Sequence, residues 1–440
     1  MKKNEINIKF RKHARTLSPK IDERDLISKI YQSFNDLFGI NNCIQIGSYP
    51  RFTAITPVHD LDLLYFLGDW NESNHNPSIA LQDLNSKINK EYKNPTNYKI
   101  AISQQTHSVT VLYLNNIEEI FSVDIVPAYF FSKNEFNDDT YKVPEILRKK
   151  HGKNRFDFYQ KLSQEHKDMA WITSDPKGYI KIASETDKIT NGEFRKTVKI
   201  VKAWNNNLTN NDENLKLKSF HLEQIITKYF QDNNNIEIFD AIFKFFTEIP
   251  KIINNPNQIK DRANNDKFID DYLQNFTDEQ KEKITQARDC FLIKLERFSE
   301  NDTIQKLLEI CFYKRHSDNE QFLFDSNIPC LAESDYSFKI CGEVQVRTGG
   351  FREYILDKIG LINIDRKIKF RISGAVPNVD LFKWKVKNDN NSEQPRGEIT
   401  DHHTLRDPEE TRYKGSHYVE CYAILNNICV AKAIQNVKLE

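Results

Sequence analysis

Three aspartates in the first third of the chain stand where acids are costly unless something binds them. Asp60 and Asp62 open an apolar run, Leu61 to Leu67, and Asp124 sits inside another, Ser122-Val123-Asp124-Ile125-Val126-Pro127. Side chains alternate along a strand, so Asp-x-Asp puts both carboxylates on one face, their Cα atoms about 7 Å apart. Carboxylates so placed repel unless cations lie between them, and hard oxygen donors select Mg²⁺ or Mn²⁺. A lone acid within an apolar strand is likewise expensive unless paired or metal-bound. Three acids on adjacent strands are the donor set of a two-metal site for in-line displacement at phosphorus. Upstream, the apolar Cys43-Ile44-Gln45-Ile46 runs into Gly47-Ser48, with eleven residues between Ser48 and Asp60. A glycine-serine turn there offers backbone N–H groups and a hydroxyl to phosphate oxygens. Asp-x-Asp and Gly-Ser are each common alone; their ordered combination with a third acid points to chemistry.

These residues need elements to hold them. Ile21, Leu26, Ile27, Ile30, Tyr31, Phe34 and Leu37 recur at helical spacing and predict a helix from Ile21 to Phe38. Strand-length apolar runs fall at Cys43 to Ile46, Leu61 to Leu67, Tyr98 to Ser103, Ser108 to Leu114 and Phe121 to Val126. From about Asn191 to Phe246 the pattern is helical, with one stripe through Phe194, Val198, Val201 and Trp204 and another through Leu222, Ile225, Ile226 and Tyr229. A polar stretch, Asn254 to Asp271, interrupts it before a further helix over Asp278 to Phe298. After about residue 320 the period drops to two. Val419, Cys421, Ala423 and Leu425 alternate with Tyr418, Glu420, Tyr422 and Ile424, and Asn426-Asn427 offers a tight turn before Ile428. The expected class is α+β: a mixed core over 1–190, a helical half over 191–318 and a small all-β sandwich over 319–440.

Composition removes several alternatives. Lys+Arg and Asp+Glu are equal at 63 each, which argues against a protein that coats long nucleic acid. No run approaches the roughly eighteen apolar residues of a membrane helix, and the basic N-terminus lacks a following apolar segment, so no membrane partner and a cytoplasmic location are expected. The seven cysteines are scattered without a CxxC pair and read as reduced, buried thiols.

The chain resembles the DNA-polymerase-β nucleotidyltransferase superfamily. Within it, the chain is most similar to bacterial cyclic-oligonucleotide synthases related to cyclic GMP-AMP synthase and 2′,5′-oligoadenylate synthase. The resemblance rests on Gly47-Ser48-Tyr49, Thr53-Ala54-Ile55, Asp60-Leu61-Asp62 and Val123-Asp124-Ile125-Val126-Pro127-Ala128. Later landmarks are Trp171 to Pro176, Val201-Lys202-Ala203-Trp204 and Lys218-Ser219-Phe220-His221-Leu222-Glu223. It extends over roughly residues 5 to 300. Trp384 to Asn388, Arg396 to Ile399 and Tyr413 to Glu420 resemble the C-terminal sensor domain of adenylyl/guanylyl cyclases and messenger synthases.

The resemblance implies a polymerase-β-like core with a helical half and a metal-dependent nucleotidyltransferase that makes a cyclic di- or trinucleotide messenger in antiphage signalling. Asp60 and Asp62 would hold two Mg²⁺ or Mn²⁺ ions, and Asp124 would complete the ion at the attacking hydroxyl and help deprotonate it. Gly47, Ser48, Lys202 and Ser219 would bind the donor triphosphate. Substrates would be ATP and/or GTP, and a separate effector protein would respond to the product. Rival readings are a template-independent transferase acting on RNA or protein, and a nucleotide-binding sensor that has lost catalysis; the intact acids argue against the second. An activating nucleic acid or small ligand is a further expected partner, with Arg148 to Arg155 as a candidate contact, although basic runs are more often solvated surface. Asp401-His402-His403 lacks a third spaced metal ligand and reads better as a polar loop.

Overall fold

The computed structural model describes residues 3–73, 75–146, 169–331, 337–345, 350–354, 361–374, 378–401, 404 and 406–440. The basic run at 148–155 and the pair His402-His403 lie outside the described residues.

Helices α1 (Lys3–Thr16) and α2 (Ile21–Phe38) precede strands β1 (Cys43–Ile46) and β2 (Asp60–Phe66). Helix α3 (Pro77–Glu91) leads to β3 (Lys99–Gln104), β4 (Val109–Asn115) and the long β5 (Glu118–Lys133). These strands form a sheet in the order β1-β2-β5-β4-β3, in which β2 and β5 run parallel and the other neighbours antiparallel. The far end of β5 pairs with β6 (Asp139–Ile146), which pairs with β7 (Met169–Ser174). Leu61 and Leu63 of β2, Val109 and Val111 of β4, and Val123 and Ile125 of β5 pack against Ile27, Ile30 and Phe34 of α2 and Leu81, Leu84 and Ile88 of α3. Strand alternation then sends Asp60, Asp62 and Asp124 out of the opposite face. Burial of the apolar face thus sets the direction of the acids.

The loop into β2 is tied to the start of α2. The Glu23 carboxylate accepts the Val58 N–H at 2.8 Å, the Thr56 hydroxyl at 2.8 Å and the Lys20 N–H at 2.6 Å. Burial alone would push this carboxyl up, but those donors hold it below its ordinary value.

The helical half comprises α4 (Pro176–Ile189), α5 (Glu193–Asn211), α6 (Ser219–Asp232), α7 (Ile238–Asn254), α8 (Asp278–Glu296) and the short α9 (Ile304–Leu308). Its core gathers Phe194, Val198 and Trp204 of α5, Ile226 and Phe230 of α6, Phe245 and Phe246 of α7, and Phe291 of α8. Ile6, Phe10 and Ala14 of α1 belong to this same core. The first helix therefore packs with the helical half, across the chain from the sheet segment that follows it. Within the polar 254–271 stretch, β8 (Lys260–Asp261) and β9 (Asn264–Phe268) form a short hairpin.

The C-terminal part is a sandwich. One sheet has the order β11-β10-β13-β16, with β10 (Lys339–Gln345), β11 (Phe351–Tyr354), β13 (Lys367–Ser373) and β16 (Glu409–Glu410). The other has the order β12-β18-β17-β14-β15, with β12 (Leu361–Ile362), β14 (Leu381–Lys387), β15 (Arg396–Thr400), β17 (Gly415–Leu425) and β18 (Ile428–Leu439). Ile340, Ile368 and Phe370 meet Trp384, Val419, Cys421 and Ala431 in its core. Asn426 and Asn427 take φ of 51° and 60°, the left-handed pair that a two-residue hairpin turn requires. Ion pairs join the sandwich to α8: Lys432 to Glu296 at 3.2 Å, while Arg315 reaches Asp289 at 2.8 Å and grips Asp325 with both terminal nitrogens.

The thiol reading needs one correction. Cys290 of α8 and Cys311 are joined as a disulfide, their Cα atoms 5.8 Å apart, while Cys43, Cys330, Cys341, Cys421 and Cys429 are free. The two cysteines lie 21 residues apart in sequence, so only the fold of the chain beyond α8 brings them together.

Candidate active site

The acids meet through strand register. Along the parallel β2–β5 pair, Asp62 lies directly beside Asp124 and Asp60 beside Ser122, at a strand spacing of about 4.8 Å. Asp60 is exposed, whereas Asp62 and Asp124 are half-buried. From the neighbouring β4, the Thr110 hydroxyl donates a short hydrogen bond to Asp124 Oδ1. The Asp62 carboxyl is pushed up to about 7, first by burial and then by the charges of Asp60 and Asp124, against the pull of Arg51 and Lys202. The fold therefore concentrates more negative charge here than its own cations neutralise. Among the described residues no three His, Cys, Asp or Glu side chains form a ready-made metal cage. The donors are nevertheless all carboxylate oxygens, on one face and in charge excess, and that set fits hard divalent cations.

Gly47 explains why the turn before the acids contains glycine. It follows Ile46, which pairs with Asp62 across β1 and β2, and its φ is +75°. A Cβ at this position would lie 1.9 Å from Asp62 Oδ2, so the carboxylate rests directly on the glycine backbone. Gly47→Ala must displace Asp62 and also strain the backbone by roughly 1–2 kcal/mol. A displacement near 1 Å at a reacting centre costs on the order of 100-fold in rate. We expect that loss in an assay of nucleotide transfer, with a circular dichroism spectrum that remains native. Near-native turnover would show that the Gly47–Asp62 contact does not position the acid.

Beneath this turn lies a buried ionic cluster. Glu223 of α6 is 0 % exposed and accepts from Arg51 Nε at 2.6 Å, Thr53 Oγ1 at 2.7 Å and Lys202 Nζ at 3.2 Å. Lys202, on α5 and 4 % exposed, also donates to the Thr53 carbonyl at 3.1 Å. Burial would push the Glu223 carboxyl up, but Arg51 and Lys202 hold it below its ordinary value. Burial dominates at Lys202 and lowers its ammonium, with Glu223 opposing. Thr53 also returns its N–H to the Ser48 carbonyl at 3.1 Å, closing the loop that carries Gly47 and Ser48.

The structure thus brings Gly47, Ser48, Asp60, Asp62 and Asp124 to one face of the sheet. Lys202 sits one layer below, with its ammonium committed to Glu223 and Thr53. Ser219 is the first residue of α6, one turn before Glu223 on the same helix face, so it lies toward the loop. Sequence reasoning assigned no role to Arg51 or Glu223. Arg51 stood three residues after Ser48, but a basic loop residue ordinarily reads as solvated; only its burial against α6 sets it apart. Asp401, by contrast, is an exposed partner of Lys383 at 2.9 Å, in keeping with a polar loop.

Comparison with known proteins bears on both ends of the chain. Residues 7–155 match the family described as the Second Messenger Oligonucleotide or Dinucleotide Synthetase (SMODS) domain. Residues 317–440 match the Adenylyl/Guanylyl and SMODS C-terminal sensor domain. A protein of Bacillus cereus (strain VD146) named as a probable cyclic nucleotide synthase is 26 % identical over 227 residues, a match covering 46 % of this chain and 60 % of that protein's length. Among solved structures, CdnC of Escherichia coli MS115-1 with ATP has a TM-score of 0.47 at 17 % identity, covering 68 % of this chain and 94 % of its own. The Elizabethkingia meningoseptica CdnE cyclic dinucleotide synthase with GTP and Apcpp has a TM-score of 0.40 at 14 % identity, covering 58 % and 86 %. At those scores the likeness is distant.

Proposed function

We propose that this chain, a member of the Second Messenger Oligonucleotide or Dinucleotide Synthetase family of nucleotidyltransferases with a C-terminal sensor domain, joins nucleoside triphosphates into a cyclic di- or trinucleotide. The observation that carries the reading is the register of Asp62 beside Asp124, with Asp60 two residues away on the same face. ATP and/or GTP are the substrates, and the product acts on a separate effector protein in cytoplasmic antiphage signalling. Among the described residues no helix is long and apolar enough to cross a membrane.

In each step a ribose hydroxyl oxygen bonds to the α-phosphorus of a triphosphate, the bond from that phosphorus to the bridging oxygen breaks, and pyrophosphate leaves. Asp60, Asp62 and Asp124 would hold two Mg²⁺ or Mn²⁺ ions, which would supply positive charge for the displacement at phosphorus. Asp124, oriented by Thr110, accepts the proton of the attacking hydroxyl. The Gly47-Ser48 turn and Ser219, at the positive end of α6, receive the phosphates. Lys202 and Arg51 add a positive field from beneath the loop as charge builds on pyrophosphate.

The test is direct. The purified chain is incubated with all four ribonucleoside triphosphates and Mg²⁺ or Mn²⁺, then treated with phosphatase and examined by mass spectrometry. A phosphatase-resistant species with the mass of a cyclic di- or trinucleotide is expected and names its bases. Linear extension of added RNA without any cyclic species would instead favour template-independent transfer.

A further inference from the structure

The chain that leads from the helical half into the sandwich is tied down along its length. Residues 309–313 lie outside any helix or strand and run beside α8. Lys294 Nζ donates to the Glu309 carbonyl at 2.7 Å, Cys290 is bonded to Cys311, and the Tyr313 N–H donates to the Gln286 carbonyl at 3.1 Å. Gln286, Cys290 and Lys294 are spaced by four and share one face of the helix. Four residues of helix advance about 6 Å, and two residues of extended chain about 6.6 Å. Strap and helix therefore run antiparallel in register, and the disulfide is the middle of three ties.

Beyond these ties the same strap enters the sandwich. The Gln321 N–H donates to the Gly397 carbonyl at 3.0 Å, and the Gln321 carbonyl accepts Lys385 Nζ at 2.8 Å. Glu320 pairs with Lys387 at 3.5 Å, both side chains buried. Leu323 joins a cluster with Tyr422, Ile424 and Cys429 of the sandwich, while Phe324, the next residue, belongs to the helical core. On the other side of the bond, α9 is fixed to α5, where Asn207 Nδ2 donates to the Leu308 carbonyl at 2.9 Å. Cys311 thus sits between an anchored helix and the segment that matches the sensor family from residue 317.

The two halves of the bond differ in their surroundings. Cys290 is 3 % exposed, whereas Cys311 is an exposed residue. The other five cysteines are free, and four of them are buried, so the pair is not part of a disulfide framework. A single bond with one exposed half belongs to the labile class that exchanges with thiols. In that exchange a small thiol, as its thiolate, attacks the Cys311 sulfur and forms a mixed disulfide. The Cys290–Cys311 bond breaks, and Cys290 leaves as a thiolate that takes up a proton. A second small thiolate attacks the small molecule's own sulfur in the mixed disulfide, and Cys311 is released as a thiol. Two small thiols are oxidised to their disulfide while the protein bond is reduced to two thiols. Since α8 holds Cys290 in place, the small disulfide can run the same steps backward.

We propose that Cys290–Cys311 is a thiol-exchange site, opened in the folded chain by a low-molecular-weight thiol of the glutathione class, and that opening it releases residues 309–314 from α8. The two ties left are one backbone hydrogen bond and one exposed lysine on a carbonyl, and contacts of that kind open first. The leader of the sandwich is loosened in this way without any change at the acids of β2 and β5.

The full chain, purified without reductant, is incubated folded with millimolar glutathione, quenched in acid, then denatured and alkylated. Intact mass counts the thiols. Five labels are expected before treatment, matching the five free cysteines, with two more afterwards at Cys290 and Cys311. Glutathione disulfide should return the count to its starting value. Cys311→Ser, a change at an exposed position, serves as the open state. Trypsin should cut it after the exposed Lys314 about tenfold faster than the untreated native chain. No gain in labels unless denaturant accompanies the glutathione would make the bond a structural one and overturn the proposal. Both thiols already free in the untreated chain would overturn it as well, and so would equal cleavage after Lys314 in variant and native protein. The label count uses the native chain and decides the matter if Cys311→Ser does not fold. Neither readout needs turnover, so the result stands apart from the synthase reading.

Discussion

Asp62→Asn is expected to reduce nucleotide transfer by roughly 10³-fold or more while leaving the metal-free protein at least as stable as the native chain. The loss of activity follows from the site. Asp62 lies between Asp60 and Asp124 in the arrangement of carboxylates, and amide oxygen is a poor substitute for a charged ligand. The stability effect follows from the same crowding. The Asp62 carboxyl titrates at about 7 in the folded chain against an ordinary value of 3.8, because burial and two neighbouring negative charges disfavour ionisation. The folded state therefore holds this proton more tightly than the unfolded state does. Stability from that preference is fully present below the ordinary value and is lost as pH rises through about 7. The difference is at most about 4 kcal/mol, and the amide, which does not titrate, escapes the loss. In thermal unfolding with a chelator, the variant should melt above the native protein at pH 8, with the gap closing toward pH 4. Added Mg²⁺ should raise the native melting temperature and leave the variant nearly unmoved, since a ligand stabilises only the state that binds it. Undiminished transfer, or a variant that melts lower at pH 8, would remove Asp62 from its assigned place.

Glu223→Ala should have the largest effect on folding, a loss of about 3–5 kcal/mol. The carboxylate is wholly buried and receives Arg51, Lys202 and Thr53 together. Deleting it strands two cations in the interior without a counter-charge. The Coulomb attraction of a buried pair barely offsets the cost of removing both ions from water, so breaking the pair is far worse than never having made it. Lys202→Met tests this reasoning, because Arg51 would still neutralise Glu223 and the deficit should be smaller. Urea denaturation of both variants gives the comparison. A Glu223→Ala loss below about 1 kcal/mol would mean that water reaches the cluster and screens it. The same substitution frees Thr53, which closes the Ser48 loop, so a fall in transfer rate should accompany the fall in stability.

How much of this was legible in the sequence depends on the range of the interaction. The helix from Ile21 to Phe38 was readable because its apolar positions repeat within a few residues, and the Asn426-Asn427 turn because left-handed backbone selects few residue types. That Asp60 and Asp62 share a face is equally local, a consequence of strand alternation and of burying Leu61 and Leu63.

What no local pattern contains is which distant residue arrives beside which. Asp124 comes from more than sixty positions along the chain, and its registry with Asp62 is set by the pairing of β2 with β5. The lysine-x-tryptophan segment marked Lys202 as a phosphate contact, but α6 delivers Glu223 to its ammonium and buries both. The first helix joins the helical core because its apolar stripe is completed by residues hundreds of positions away. The pairing of Cys290 with Cys311 is likewise a product of tertiary approach. The sequence by itself determined the chemical groups, their local faces and the class of reaction they resemble. Tertiary structure decided which charges are neutralised and which are left in excess, because desolvation and Coulomb energies depend on all the neighbours a group acquires.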